Sequence, residues 1–293
     1  MSIDLIVHSA NQVLTLAGDA PRRGAAQGEL AIIRGGAIAI RGEQIVAVGD
    51  TLDLLALADA HTRKLDARGK IVLPGFVDAH THVVFAGERA NEFEMRLRGA
   101  MYLDIQKAGG GIMSTVRATR AASLEDLVAQ SRARLDAMLA HGTTTAEVKS
   151  GYGLDTANEL KMLNVIVALN AEHAMELVPT FLGAHVVPEE FRGREDAYVE
   201  LVVEEMLPAV ASRQYPVVSS QKVSSPLATR RSSLFCDVFC DDGAFTLAQT
   251  RKILTRAKEL GFGLRVHADE FANLGAATLA AELGAASADH FVD

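Results

Sequence analysis

Two histidines separated by one residue, His80 and His82, end an apolar run that follows the turn at Pro74-Gly75. Because side chains alternate across a strand, both imidazoles project to the same side, close enough to share one cation. Imidazole nitrogen suits zinc or iron. An isolated His-x-His pair at a strand end is at least as often incidental, but the Pro-Gly turn before this run favours a metal site.

A third histidine, His267, ends the apolar run that begins at Gly263. In a parallel barrel the ends of different strands meet on one face, where catalytic residues gather. His80, His82 and His267 would then form a three-ligand site with one open position for water. A bound dication lowers the pKa of that water to about 7. The sequence therefore predicts metal-assisted hydrolysis.

Four further residues at or near predicted strand ends are candidates for chemistry. Glu270 follows His267 by one turn and is a candidate proton shuttle. An equal alternative is that Glu270 is a solvent-facing carboxylate at the start of a helix, where the helix dipole favours negative charge. His185 and His290 also fall at strand ends. Lys149 is a candidate carboxylated lysine bridging two metals, but a strand-end lysine is more often a substrate contact or a salt-bridge partner.

The elements that must position these residues fall into two parts. Residues 1–70 contain short β-branched runs separated by glycine and polar residues, which predicts a small β domain. In residues 71–293, apolar runs alternate with helical segments, which predicts a parallel sheet covered by helices. The apolar runs that suit buried parallel strands begin at Ile71, Thr143, Glu176, Phe235, Gly263 and Ala286.

Helix start signals separate these strands. Ser123 is a predicted N-cap, and two pairs, Thr156 with Glu159 and Thr246 with Gln249, fit the capping-box pattern. We count about six strand–helix units, whereas a (β/α)₈ barrel needs eight. We therefore expect an incomplete barrel.

Composition and charge exclude several classes of protein. With 49% hydrophobic and 23% charged residues the chain can bury a core, which rules out a disordered or collagen-like chain. A net charge of -8 argues against a sequence-blind nucleic-acid binder. The N-terminus lacks a signal-peptide pattern, and no run approaches the roughly 18 apolar residues that span a bilayer. We expect a soluble, cytoplasmic protein without nucleic-acid or membrane partners.

Seven motifs run in order through about residues 71–210 and 235–291. They read LPGFVDAHTHVVFAGERANEFEMRL, GGGIMSTVRATR, EVKSGYGLD, TFLGAHVVP, DVFCDDGAF, HADEF and ELGAASADH. Together they resemble the motifs of the imidazolonepropionase family within the metal-dependent amidohydrolase superfamily. The first motif indicates only the superfamily, whereas the combination of NEFE, GGGI, STVRATR and VKSGYGLD is far more specific.

The resemblance implies a TIM-like (β/α)₈ barrel joined to a β-sandwich that both chain ends build. Residues 1–70 would be the N-terminal part of that sandwich, and residues 71–293 a barrel lacking its last two units. It also implies one divalent metal ion, zinc or iron, and hydrolysis of 4-imidazolone-5-propanoate to N-formimidoyl-L-glutamate in histidine degradation.

The resemblance also assigns roles residue by residue. The implied metal ligands are His80, His82 and His267. The implied substrate contacts are Arg89, Tyr152, His185 and Glu270, and the residues implied around the attacking water are Glu270 and His290. An arginine can grip the propanoate carboxylate through a bidentate pair.

Two departures and three alternatives accompany these expectations. The implied aspartate ligand and last two units have no counterpart in this sequence. Residues 213–233 look like an insertion, and the Ser- and Arg-rich stretch 215–233 within it is predicted to be an exposed loop. The alternatives are another cyclic amidohydrolase, an aminohydrolase of the same superfamily, and a catalytically inactive fragment. A homodimer is considered because dimers are the commonest soluble oligomers.

Overall fold

The computed structural model describes residues 2–19, 22–101, 109–213 and 234–291. The chain divides into two compact units, Met1–Gly75 and Phe76–Asp293. The predicted loop at 215–233 lies outside the described residues, as does the predicted insertion at 213–233 apart from Arg213. Among the described helices, none combines the length and the apolar composition that a membrane span requires.

The first unit contains a five-stranded mixed sheet with the order β3-β2-β1-β4, in which β5 also pairs with β1. Its elements are β1 (Leu5–Leu14), β2 (Ile32–Arg41), β3 (Gln44–Asp50), the short helix α1 (Thr51–Leu55), β4 (Arg63–Asp66) and β5 (Ile71–Val72). Strand β1 runs antiparallel to β2 and parallel to β4 and β5. Ile6, Ala37 and Ala39 are buried together with Leu54 of α1. That this unit belongs to a sandwich stays a prediction.

The second unit contains a six-stranded parallel sheet with the order β11-β10-β9-β8-β7-β6. Its strands are β6 (Phe76–Thr81), β7 (Thr143–Lys149), β8 (Glu176–Ala184), β9 (Phe235–Cys240), β10 (Gly263–Ala268) and β11 (Ser287–His290). Its described helices are α2 (Ala90–Leu97), α3 (Ile112–Ala121), α4 (Leu124–Ala140), α5 (Thr156–Glu172), α6 (Glu195–Leu201), α7 (Leu207–Ala211), α8 (Leu247–Glu259) and α9 (Ala276–Leu283). This is the α/β organisation that the sequence predicts.

The strand starts predicted from apolar runs agree with the structure within one residue at five places and fail at the first. Ile71 does not begin the parallel sheet, because Ile71–Val72 pairs with β1 in the first unit. The first parallel strand begins at Phe76. The reason lies in Pro74 and Gly75, which break the apolar run so that its two halves join different sheets.

Two of the three helix caps predicted from sequence are confirmed. The Ser123 side chain accepts from the N–H of Asp126, and Thr246 forms a complete capping box with Gln249. The prediction of a capping box at Thr156 is wrong. Asp155 caps α5 instead, and the Glu159 carboxylate is bound elsewhere.

The two edge strands of the parallel sheet meet at their carboxyl ends. Nδ1 of His80, in β6, lies 3.0 Å from Oδ2 of Asp289, in β11. Since β6 and β11 are at opposite edges of the strand order, this contact requires the sheet to curl back on itself. The curl places the ends of the strands around one common space.

Candidate active site

A cluster of imidazole rings lies where the strands of the parallel sheet end. The ring centroids of His80 and His267 are 4.4 Å apart, those of His80 and His82 are 5.3 Å apart, and those of His82 and His267 are 5.4 Å apart. The three predicted ligands, which come from β6 and β10 and the residue just after β6, therefore converge as the sequence predicts. Their role as ligands stays a prediction.

The separation of two ring nitrogens fits a metal ion. Nε2 of His82 and Nε2 of His267 are 3.3 Å apart. Nitrogens bound to tetrahedral zinc at about 2.0–2.1 Å lie about 3.3 Å from each other. Burial, with further lowering by the neighbouring imidazoles of His185 and His267, holds the pKa of His82 well below its usual value, so that its neutral ring can act as a ligand. Within the described residues, buried Nδ1 of His82 has no hydrogen-bond partner.

His290 joins the same cluster. His80, His267 and His290 each offer one ligand atom, and these atoms lie within 4.8 Å of one another. The carboxylate of Glu270 lies 3.7 Å from Nε2 of His290. Burial lowers the pKa of His290, with further lowering by its imidazole neighbours and opposition from Glu270. The two residues predicted to act around the attacking water are thus adjacent.

A buried carboxylate holds the segment that carries Glu270. Asp241 is 2% exposed and accepts hydrogen bonds from the backbone N–H groups of Glu270 at 2.6 Å, Phe271 at 2.8 Å and Ala272 at 3.1 Å. The preceding Asp269 has a positive φ of 56°. Asp241 is not predicted from the sequence, because nothing in its spacing links it to a segment almost thirty residues further along the chain.

A buried ionic network lies beside His267. Asp237 Oδ2 is 2.8 Å from His267 Nδ1 and 2.7 Å from the ammonium of Lys149, which also contacts Glu147 at 2.8 Å. Burial alone would raise the pKa of Asp237, but His267 and Lys149 hold it well below its usual value. Lys149 is therefore a salt-bridge partner of two buried carboxylates. A charged residue inside the apolar strand β9 is the sequence signal for Asp237.

His185 and Tyr152 line the other side of the cluster. The ring of His185 stacks on His82 at 5.1 Å, and its Nδ1 bonds the carbonyl of Gly151 at 2.9 Å. Burial lowers the pKa of His185 to about 4. The ring centroid of Tyr152 lies 5.4 Å from that of His185 and 5.9 Å from that of His82. Burial raises the pKa of Tyr152. Both predicted substrate contacts therefore adjoin the imidazole cluster.

Arg89 lies in a cavity that Tyr152 shares. The cavity has a volume of about 500 Å³, and its lining includes Phe85, Arg89, Arg134 and Tyr152. The guanidinium of Arg89 forms two hydrogen bonds, of 2.6 and 2.8 Å, with Glu92. Because Tyr152 contacts both the cavity and the histidines, a molecule in the cavity would lie next to the candidate metal site.

Comparison with known families shows which class of protein this parallel sheet and its histidine cluster belong to. The chain belongs to the amidohydrolase family, whose sequence model matches residues 71–290.

Curated relatives carry one particular name, imidazolonepropionase. The protein of that name from Symbiobacterium thermophilum is 52% identical over 292 residues, which is 99% of this chain and 65% of the relative. The one from Herpetosiphon aurantiacus is 50% identical over 289 residues, 97% of this chain and 65% of the relative. The chain thus spans about 65% of the length of these relatives.

Solved structures with the same fold are more distant. E. coli guanine deaminase matches with a TM-score of 0.57 and 17% identity, over 90% of this chain and 54% of that one. Atrazine chlorohydrolase from Arthrobacter aurescens TC1, complexed with zinc, matches with a TM-score of 0.50 and 18% identity, over 95% of this chain and 55% of that one. At these identities the likeness concerns the fold alone.

Proposed function

We propose that this chain carries the active site of an imidazolonepropionase, which hydrolyses 4-imidazolone-5-propanoate to N-formimidoyl-L-glutamate in histidine degradation. The observation that carries the proposal is the convergence of His80, His82 and His267 beside the cavity of Arg89 and Tyr152. The curated relatives named imidazolonepropionase support the choice of substrate.

His80, His82 and His267 would hold one divalent ion, zinc or iron, because neutral imidazole suits both. When bound, such an ion supplies Lewis-acid polarisation of the ring carbonyl. The Asp237 carboxylate lies 2.8 Å from Nδ1 of His267, and its charge favours a proton on that nitrogen. Nε2 of His267 then keeps its lone pair and can act as a metal ligand.

Glu270 and His290 would carry the proton. Hydrolysis adds water to the ring carbonyl carbon, breaks the bond from that carbon to the ring nitrogen and transfers one proton from the water to that nitrogen. The carboxylate and the imidazole are 3.7 Å apart, which is longer than a hydrogen bond, so each would exchange its proton with the water or with the ring nitrogen rather than with the other. Asp241 would hold Glu270 in place through its three hydrogen bonds to the backbone of residues 270–272.

Arg89 would bind the propanoate carboxylate, while Tyr152 and His185 contact the ring. His185 is neutral at pH 7, and its Nδ1 is engaged with the Gly151 carbonyl, so its Nε2 is an acceptor for a substrate N–H. Arg89 would exchange part of its pairing with Glu92 for the substrate carboxylate, as a bidentate contact allows.

The test is loss of the ultraviolet absorbance of 4-imidazolone-5-propanoate on addition of the purified, metal-supplied chain. We expect turnover, and we expect Arg89→Gln to raise KM by at least about tenfold, as loss of a charged hydrogen bond does. Arg96→Gln replaces an exposed arginine on α2, the helix that Arg89 precedes; it is the control and should leave KM unchanged.

Other outcomes of this test decide among the alternatives. Equal rates on cyclic compounds without a carboxylate would favour another amidohydrolase or an aminohydrolase. Bound metal without turnover would favour an inactive chain. The cytoplasmic location and the homodimer stay predictions, and light scattering of the purified protein tests the latter.

A further inference from the structure

A buried carboxylate outside the predicted site, Glu159, binds the loop that carries Tyr152. Glu159 is 0% exposed. The carboxylate accepts hydrogen bonds from the backbone N–H groups of Gly151 at 3.0 Å, Gly153 at 2.8 Å and Leu154 at 2.8 Å. Burial raises the pKa of Glu159, and the hydrogen bonds from the loop oppose that rise. Three backbone N–H groups that donate to one side chain hold the loop on both sides of Tyr152.

The same loop also orients His185. The carbonyl of Gly151, whose N–H is bound by Glu159, accepts the hydrogen bond from Nδ1 of His185 at 2.9 Å. That hydrogen bond fixes the tautomer and the ring orientation of His185. One side chain therefore acts, through a single loop, on both predicted ring contacts.

The loop has little room to move. A Cβ atom at Gly153 would lie 2.4 Å from the backbone nitrogen of Glu159 and 2.6 Å from the carbonyl carbon of Asn158. On the other side, Nε of Arg120 donates to the carbonyl of Gly153 at 2.6 Å. The loop is thus clamped between the first turn of α5 and a guanidinium on α3.

We infer that Glu159 is a positioning residue for substrate recognition, which sets the placement of Tyr152 and His185 without touching substrate. This inference rests on the proposed function. Because Glu159 contacts neither the predicted metal ligands nor Glu270 in the described structure, its loss should impair substrate binding more than the chemical step.

The test compares Glu159→Gln with Glu172→Gln, an exposed glutamate at the end of the same helix. Hydrogen-exchange mass spectrometry follows the amides of residues 150–154. Calorimetry measures the affinity for imidazole-4-propanoate, which has the ring and the carboxylate but no carbonyl to hydrolyse. Turnover of 4-imidazolone-5-propanoate gives KM and kcat, and elemental analysis gives the metal content.

We expect Glu159→Gln to speed hydrogen exchange in residues 150–154. The variant should bind the analogue about tenfold or more weakly and raise KM by a similar factor. Its kcat and metal content should each change by less than about threefold. Glu172→Gln should match the wild type throughout. If Glu159→Gln fails to fold, Arg120→Met releases the same loop from its other side and should shift KM in the same direction.

Faster loop exchange with KM and analogue affinity within twofold of wild type would overturn the inference, as would an equal fall in kcat and metal content. The proposed function fails separately. A wild-type chain that neither turns over 4-imidazolone-5-propanoate nor binds imidazole-4-propanoate would contradict that function, and with it any role of Glu159 in substrate recognition.

Discussion

Nε2 of His82 and Nε2 of His267 lie 3.3 Å apart although 185 residues separate them in the chain. The carboxylate of Asp237 lies 2.8 Å from the other nitrogen of His267 and favours a proton there. The Nε2 lone pair of His267 then faces a neutral His82. Two ring nitrogens in that arrangement suit a shared cation, and the spacing matches that of ligands on tetrahedral zinc.

Replacing Gly151 tests whether close packing against His185 matters. Gly151 has a φ of +103°, and a Cβ there would lie 3.0 Å from Nδ1 of His185 and from the Leu182 carbonyl oxygen. Gly193 has a φ of +76° and nothing within 4 Å, so Gly193→Ala controls for backbone strain alone. We expect Gly193→Ala to cost about 1–2 kcal/mol in backbone strain and Gly151→Ala to cost at least as much. Only Gly151→Ala should also weaken binding of imidazole-4-propanoate, measured by calorimetry, and equal binding by both variants would refute the packing argument.

Replacing Asp241 tests how Glu270 is held. Asp241→Asn leaves an acceptor oxygen but removes the charge that binds three backbone N–H groups. We expect kcat to fall by about 10–100-fold while KM changes little, because a proton carrier that is no longer held in place stabilises the transition state less well. Asp242→Asn, an exposed neighbour, should leave steady-state kinetics unchanged. An unchanged kcat in Asp241→Asn would show that Glu270 needs no such support.

Replacing Lys149 tests the buried ionic network. Its side chain is 0% exposed and contacts two carboxylates that are 0% and 2% exposed. Lys149→Met leaves those two buried carboxylates without their ammonium partner. We expect the free energy of unfolding, measured by denaturant titration, to fall by about 3–5 kcal/mol. Lys252→Met breaks an exposed pair with Glu200 and should cost at most about 1 kcal/mol. Equal losses in the two variants would contradict the network's importance.

How far the sequence predicts this molecule depends on the range of the interaction. Apolar runs locate five strand starts, and the caps at Ser123 and Thr246 are confirmed, because these signals involve residues within a few positions of one another. The break at Pro74-Gly75 misplaces one strand, because which sheet a short strand joins is decided by distant partners.

The histidine cluster follows from sequence because strand ends gather on one face of a parallel sheet, so placement of each strand also places its histidine. The supporting carboxylates do not follow. Asp237, Asp241 and Glu159 act on backbone or ring atoms reached only through the tertiary fold, and no local pattern specifies those contacts.

Metal content of the purified chain tests the central claim most directly. After growth with added zinc or iron and removal of loosely bound ions, elemental analysis should find about one ion per wild-type chain. His82→Ala and His267→Ala should each lose most of it, while His141→Ala, at an exposed helix end, should retain it. A wild-type chain that holds no ion under these conditions, or a His267→Ala chain that holds as much as wild type, would contradict the account.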